Sequence, residues 1–481
     1  MGALSQSVYY AIGIIMMKGV SLLMIPYLTR TLTVAEFGAL ESLVLLADIG
    51  TILFSFGLVD AMYRYVGTAE GKHKQQLISN CFSLSCLLAL IGAVAIALSL
   101  NSLVAILPAR FEPYQLLLLA IPILLDGLIS IPLTLMRMQS MAKKFCQLNV
   151  AKALIQALLT FVLMEQGYGI DAVLIAACLS SIFLALALVR FQWQQMERFG
   201  HFADSAMLLR FGLPVLVGSV SVYMITGLDR WLLAEFVGVE QLAVYAIAVK
   251  FALLLPLILQ PYALWWFPNR IPTLQKPDGE KKCAEMAILG VNFCIIVALC
   301  MALTVPSFLS LILPAEYHNA GLITVALLMV NTIKNAGDYL NLGCYCGESS
   351  QTQMWIHAFC AALAVAGYFY WVPSYGLWAT VSVLAGVYLI RLMLIYLASQ
   401  SIKPLQYAHR QWLITLAISI TAWSLHQFVS PSLPVFATFL LGGVIGIASI
   451  ALFAGLGILP IWEPIKQRLA SRRKSQPTSI Q

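Results

Sequence analysis

The chain has 481 residues, 61% of them hydrophobic and only 10% charged, with a formal net charge of +7. A soluble globular chain carries about 25% charged residues, so a water-soluble fold cannot hide this much apolar surface. A transmembrane β-barrel is excluded too, because its segments of ~10 residues alternate apolar and polar, whereas the runs here are unbroken. The class is an all-α polytopic membrane protein.

The start, MGALSQS, lacks the basic region of a signal peptide, and the first apolar run is too long for one, so it reads as a retained helix. Gln6 stands where N-myristoylation requires Ser or Thr. A helical span needs roughly 20 apolar residues. About fourteen such runs follow in order: 8–28, 38–58, 80–105, 114–136, 148–164, 171–189, 211–229, 242–262, 285–305, 320–340, 353–371, 376–397, 412–429 and 435–459. Val372-Pro373-Ser374-Tyr375 separates the eleventh from the twelfth. The expected organisation is an N-terminal bundle of six helices (1–205), a second bundle (206–400), and two added helices with a basic tail (401–481). The two bundles are expected to be pseudo-symmetric around a central cavity.

Orientation follows from the basic residues. With the N-terminus inside, twenty of the 28 Lys and Arg fall in cytoplasmic segments: Arg64, Lys72 and Lys74; Arg137, Lys143 and Lys144; Arg190, Arg198 and Arg210; Arg270, Lys276, Lys281 and Lys282; Lys403 and Arg410; and Lys466, Arg468, Arg472, Arg473 and Lys474 in the tail. Outer loops hold Arg30, Arg110 and Arg230. This asymmetry places both termini in the cytoplasm, although 341–352 carries no Lys or Arg. The net charge thus reflects topology, and no nucleic-acid partner is expected.

Every loop is short, the longest outer one lying around 306–319. A membrane glycosyltransferase or polymerase would need a larger extramembrane loop for its chemistry. No G-x-x-x-x-G-K-[ST], H-E-x-x-H or G-x-S-x-G motif occurs, so neither P-loop ATP hydrolysis nor the matching hydrolase chemistry is expected. The ten cysteines form no CxxC; Cys344 and Cys346 form a CxC read as packing rather than metal binding. His318, His357 and His426 lack metal-ligand spacing. No metal or cofactor is expected, and the chain is not expected to be an enzyme.

The halves echo each other: 28–43 reads LTRTLTVAEFGALESL and 228–247 reads LDRWLLAEFVGVEQLAVYAI. Each sets an Arg at a helix end, then an amphipathic linker with an acid, then a new apolar run. Internal repeats are common in transporters, with the substrate path between them.

Three passages carry a family resemblance. Tyr27-Leu28-Thr29-Arg30-Thr31-Leu32 is followed by Glu36-Phe37-Gly38; Phe211-Gly212-Leu213-Pro214 opens the seventh span; Leu228-Asp229-Arg230-Trp231-Leu232-Leu233 closes it, with Val244-Tyr245 beyond. Their order resembles the polysaccharide flippases of the multidrug/oligosaccharidyl-lipid/polysaccharide exporter superfamily, with Ala243 where a Gly is common. The resemblance implies a bacterial inner-membrane protein that turns an undecaprenyl-diphosphate-linked oligosaccharide, an O-antigen or exopolysaccharide repeat unit, from the cytoplasmic to the periplasmic face by alternating access. A polysaccharide polymerase and a chain-length regulator are the partners it suggests. It also draws attention to Arg30, Asp229 and Arg230, whose plain alternative is an interfacial pair or helix cap.

Such a substrate sets conflicting solvent demands. Its tail belongs in hydrocarbon, while its diphosphate and glycan are costly to carry through it. Cations inside spans can meet the diphosphate: Lys18, Lys250, Lys334 and Arg391 are the candidates, against the alternative of structural ion pairs. Lys334 and Asp338, four apart, share a helix face and are expected to pair. Lys152 is placed near the start of its helix, able to snorkel. Glu41 and Asp48, seven apart on one face, and Asp126 pair with cations or take up a proton or Na⁺ during turnover. Pro122, Pro132, Pro214 and Pro256 are candidate bends. Trp265 and Trp266 are expected in an interfacial belt. The mid-span cations equal the mid-span acids in number, so a drug/cation antiporter or lipid II flippase of the same fold stays open. From a different class, so does a membrane O-antigen polymerase.

Overall fold

The structure, a computed structural model, describes residues 3–346 and 351–459 apart from the side chains of residues 3–8, 11 and 351. The basic tail residues Lys466, Arg468, Arg472, Arg473 and Lys474 lie outside the described residues. All regular elements among the described residues are helical. Among the described residues, thirteen stretches are long and apolar enough to cross a membrane, and the one at Thr352–Ile402 is divided at Gly376, which yields the fourteen expected.

The described residues form two compact units. One runs to Ala243 and includes Val372–Gly376; the other takes Val244–Trp371 and the chain from Leu377 onward.

The first unit contains α1 (Ala3–Thr31), α2 (Val34–Ser55), α3 (Leu58–Tyr65), α4 (Gly71–Ile106), α5 (Pro113–Met138), α6 (Ala142–Glu165), α7 (Ile170–Gln195), α8 (Ser205–Thr226) and α9 (Leu228–Phe236), then the start of α10 (Val239–Ala252). Helix α5 packs against α2, α4, α6 and α7, and α1 lies on α6. Glu112 and Gln115 close a capping box that starts α5, with Pro113 where no amide donor is needed. The short α3 escapes a hydropathy reading because Phe56 and Gly57 both turn left-handed and break α2.

The second unit contains the rest of α10, then α11 (Leu254–Leu274), α12 (Gly279–Ile312), α13 (Ala320–Leu340), α14 (Gln351–Ile402), α15 (His409–Val429) and α16 (Val435–Gly455). Helix α12 is its hub, packed by α11, α13, α15 and α16.

Several expectations are corrected. The break expected between the eleventh and twelfth spans is present but narrower: Val372–Tyr375 is helical and the kink falls at Gly376, at φ 60° and ψ −140°, a backbone conformation that glycine adopts without penalty. Pro256 lies in the first turn of α11, four residues after Ala252, where α10 ends inside the apolar stretch Val239–Leu274, and Pro261, Pro268 and Pro272 lie inside α11. Trp265 is exposed, but Trp266 is buried in the core with Cys283, Ala287 and Tyr339. Arg270, counted among loop charges, is buried on α11. Its Nη1 donates to Asn341 Oδ1 at 2.7 Å, and its guanidinium covers the rings of Phe267 and Tyr345.

Other charges expected in loops sit on helices. At 1.5 Å per residue, the 36 residues of α4 and the 34 of α12 extend over about 50 Å, well beyond a hydrocarbon core of ~30 Å. Lys72 and Lys74 on α4, and Lys281 and Lys282 on α12, ride on those overhangs.

Candidate functional site

A buried charged group in the second unit joins α13 to α14. Arg391 is buried, with Nη2 2.7 Å from Asp338 Oδ1 and Nη1 3.5 Å from the Lys334 carbonyl oxygen. Its Nε has no hydrogen-bond partner among the described residues. The expected Lys334–Asp338 pair does not form. The Lys334 ammonium instead lies 5.8 Å from the centre of the Tyr388 ring, and Asp338 turns to the guanidinium, which offers directional donors where an ammonium is a point charge. Tyr388 stands one turn before Arg391, so that spacing marks it as a neighbour. His357, read as ordinary, feels the charges of Arg391, Asp338 and Lys334; no local spacing points to it. The group holds two cations, one carboxylate, one imidazole and an aromatic face.

The other candidates lie elsewhere. Lys18 is exposed on α1, in the first unit. Lys250 is half-buried in the last turn of α10. Asp126, half-buried on α5, feels the charge of Lys152 on α6 without a direct ion pair. Helix α6 begins ten residues before Lys152, so its Cα lies about 15 Å along the helix and not near its start. Glu41 on α2 is buried, whereas Asp48, two turns on, is exposed.

Asp48 belongs to a second charged neighbourhood, in the first unit. Tyr223 donates its hydroxyl to the Leu45 carbonyl oxygen at 3.0 Å and lies within the fields of Arg230, Asp48 and Asp229. Asp229 is buried, its Oδ1 lies 3.9 Å from Arg230 Nε, and Arg230 Nη2 donates to the Thr226 carbonyl oxygen at 2.9 Å. These two residues do not close the seventh span. Helix α8 ends at Thr226, and Gly227, whose place a Cβ would put into the Tyr223 ring, starts the separate helix α9. Arg30, by contrast, does stand in the last turn of α1.

The short passages quoted above have structural work of their own. Thr33 caps α2 and Glu36 completes its capping box, while Gly38 is pressed against the Val239 carbonyl. Gly212 lies in the second turn of α8 and meets the Phe56 carbonyl at the break between α2 and α3. Those positions hold helices together.

The family model for polysaccharide biosynthesis proteins matches residues 3–270, more than half of the chain. No curated protein matches the chain. Among solved structures, it is similar to the lipid II flippase MurJ in an inward closed conformation, with a TM-score of 0.74 and 13% identity, over 95% of this chain and 99% of that one. It is also similar to a MATE multidrug transporter, DinF-BH, with a TM-score of 0.56 and 14% identity over 84% of this chain and 96% of that one. A mutant of the Vibrio cholerae MATE transporter VcmN gives 0.57 and 14% over 83% and 95%. At these identities the likeness is one of fold.

Proposed function

Because the chain belongs to the polysaccharide biosynthesis protein family, a multi-pass membrane family whose fold here is that of flippases and multidrug transporters, we propose that it turns over an undecaprenyl-diphosphate-linked oligosaccharide. The substrate is an O-antigen or exopolysaccharide repeat unit, loaded at the cytoplasmic face of a bacterial inner membrane and released to the periplasmic face. The observation that carries this reading is the pairing of that family match with the cationic group of Lys334 and Arg391 inside membrane-spanning helices. Ionised groups amid hydrocarbon are expensive and mark substrate paths.

In this reading Lys334 and Arg391 receive the diphosphate, and Lys18 and Lys250 are further candidate cations for an anionic substrate. Asp338 holds Arg391 ready and gives way as the phosphate oxygens arrive. Glu41, Asp48 and Asp126 are the acids proposed to pair with cations or take up the coupling ion, and Arg30, Asp229 and Arg230 set helix ends. The chain makes and breaks no bond in the substrate; a polymerase and a chain-length regulator are the proposed consumers of its product.

A deletion strain tests it. Lipid-linked repeat units should accumulate facing inward and surface polysaccharide should disappear, with both restored by the wild-type chain but not by one carrying Lys334→Glu and Arg391→Glu. Unchanged surface polysaccharide after deletion defeats the reading, and rescue of lipid II export instead would favour the other flippase substrate.

A further inference from the structure

The second unit holds a cleft of about 1220 Å³ along α12, bordered by the first turn of α15 and the residues after α16. Its origin is visible in the packing: α15 and α16 lie chiefly on α12 and much less on each other. The walls change character along α12. At the end near Gly279 stand Lys276, Asp278 and Lys281, none of which forms an ion pair among the described residues. Asp278 adopts a left-handed conformation and its side chain caps no amide; the Gly279 amide is taken by the Lys276 carbonyl and that of Lys282 by the Asp278 carbonyl, which leaves the amides of Glu280 and Lys281 for an anion. Farther along, Met286 and Leu289 make an apolar wall. Asn292 then lines the cleft, 1% exposed, and neither amide atom has a partner among the described residues. A buried amide left unpartnered costs roughly 1–3 kcal/mol, so this side chain calls for a polar group from whatever fills the cleft.

We infer that the cleft binds one glycerophospholipid with a zwitterionic headgroup, a site separate from the cationic group on α13 and α14. Lys276, Lys281 and the open amides of α12 take the phosphate, Asp278 takes the ammonium, and an acyl chain lies on Met286 and Leu289. The glycerol ester reaches Asn292, which stands seven residues, about 10 Å, beyond Glu285 on α12. The lining carries three cations and three acids, and with Glu280 tied to Lys403 and Glu285 to Lys282 the free groups among the described residues are Lys276, Lys281 and Asp278, which offer partners to both charges of a zwitterion. The site is independent of which lipid-linked sugar the protein moves.

Native mass spectrometry of the full chain in detergent, titrated with palmitoyl-oleoyl phosphatidylethanolamine, tests the assignment. One lipid should stay bound at low excess. The double variant K276E/K281E and, separately, Asn292→Leu should each lower its retention about tenfold, and Met286→Trp, which fills the apolar wall, should do the same. Size-exclusion profiles and unfolding midpoints identify variants that merely fail to fold, and Asn292→Leu, which removes a buried polar group, keeps the test open if the others do. Truncation after Leu459 should leave retention unchanged. Retention that is equal in all variants overturns the site. Retention seen only after truncation assigns the cleft to residues 460–481 instead, and a bound polyprenyl phosphate in place of the phospholipid overturns the ligand.

Discussion

Arg391 shows how far a single charge can be read from its neighbours in sequence and where that reading stops. Lys334 and Asp338 share a face by spacing alone, which makes their attraction legible. The carboxylate's actual choice is set by a guanidinium 53 positions away, brought in by the packing of α14 on α13. That register is tertiary and leaves no local mark, as is true for His357. Two substitutions separate support from binding. Asp338→Asn leaves a buried guanidinium without its counter-charge. Because Asp338 keeps about a third of its own surface exposed, the loss should be ~1–3 kcal/mol, read as a lower unfolding midpoint in detergent. Lys334→Gln removes only a cation over a ring, so the midpoint should hold. Binding of undecaprenyl diphosphate should then fall about tenfold, the size of one lost charge-assisted contact. An equal loss of midpoint in both variants would make Lys334 a structural residue.

At the scale of elements, the helices were legible and their joints were not. Apolar runs locate α2, α4 and α8, but the breaks depend on what glycines touch. Gly38 is one such joint: a Cβ there would run into the Val239 carbonyl oxygen. Gly38→Ala should therefore force α2 off the start of α10 and cost ~1–3 kcal/mol by overpacking, measured by thermal unfolding; an unchanged midpoint would mean that this approach is loose. The connection from α7 to α8 is a second joint. Ser79 Oγ accepts from the amides of Glu197 and Arg198, and Ser83 Oγ from that of Gly200. Ser79→Ala should strip two amides of their acceptor, roughly 1–3 kcal/mol of local stability, and speed protease cutting within 196–204. Lys72 lies 3.1 Å from Glu197 on the same joint and holds its carboxyl below the usual value of 4.5. A depressed folded pKa gives stability that is present above the unfolded value and lost as pH falls through the folded one. Cutting should therefore accelerate below about pH 4.5 in the wild type, and that acid step should vanish in Lys72→Ala.

For the whole molecule, composition alone dictated membrane helices, and run length dictated how many. The grouping of helices into units follows long-range packing, and hydropathy does not encode it. Orientation is a property of the whole chain as well, argued from basic residues spread over many segments. The segment 341–352 is silent in that argument, since it contains no Lys or Arg. It does contain Cys346, the one exposed cysteine of the ten. The proposed topology puts this thiol in the cytoplasm, so a membrane-impermeant maleimide should label the wild-type chain in inside-out vesicles and leave it untouched in right-side-out ones. Cys346→Ser should abolish the signal. Partial desolvation holds the thiol above its ordinary pKa, more than the nearby Lys403 and Arg270 lower it. The thiolate is the reacting form, so labelling should be slow at neutral pH and quicken as pH rises. Labelling from the outer face would invert the whole helix order across the bilayer and overturn the topology drawn from the basic residues.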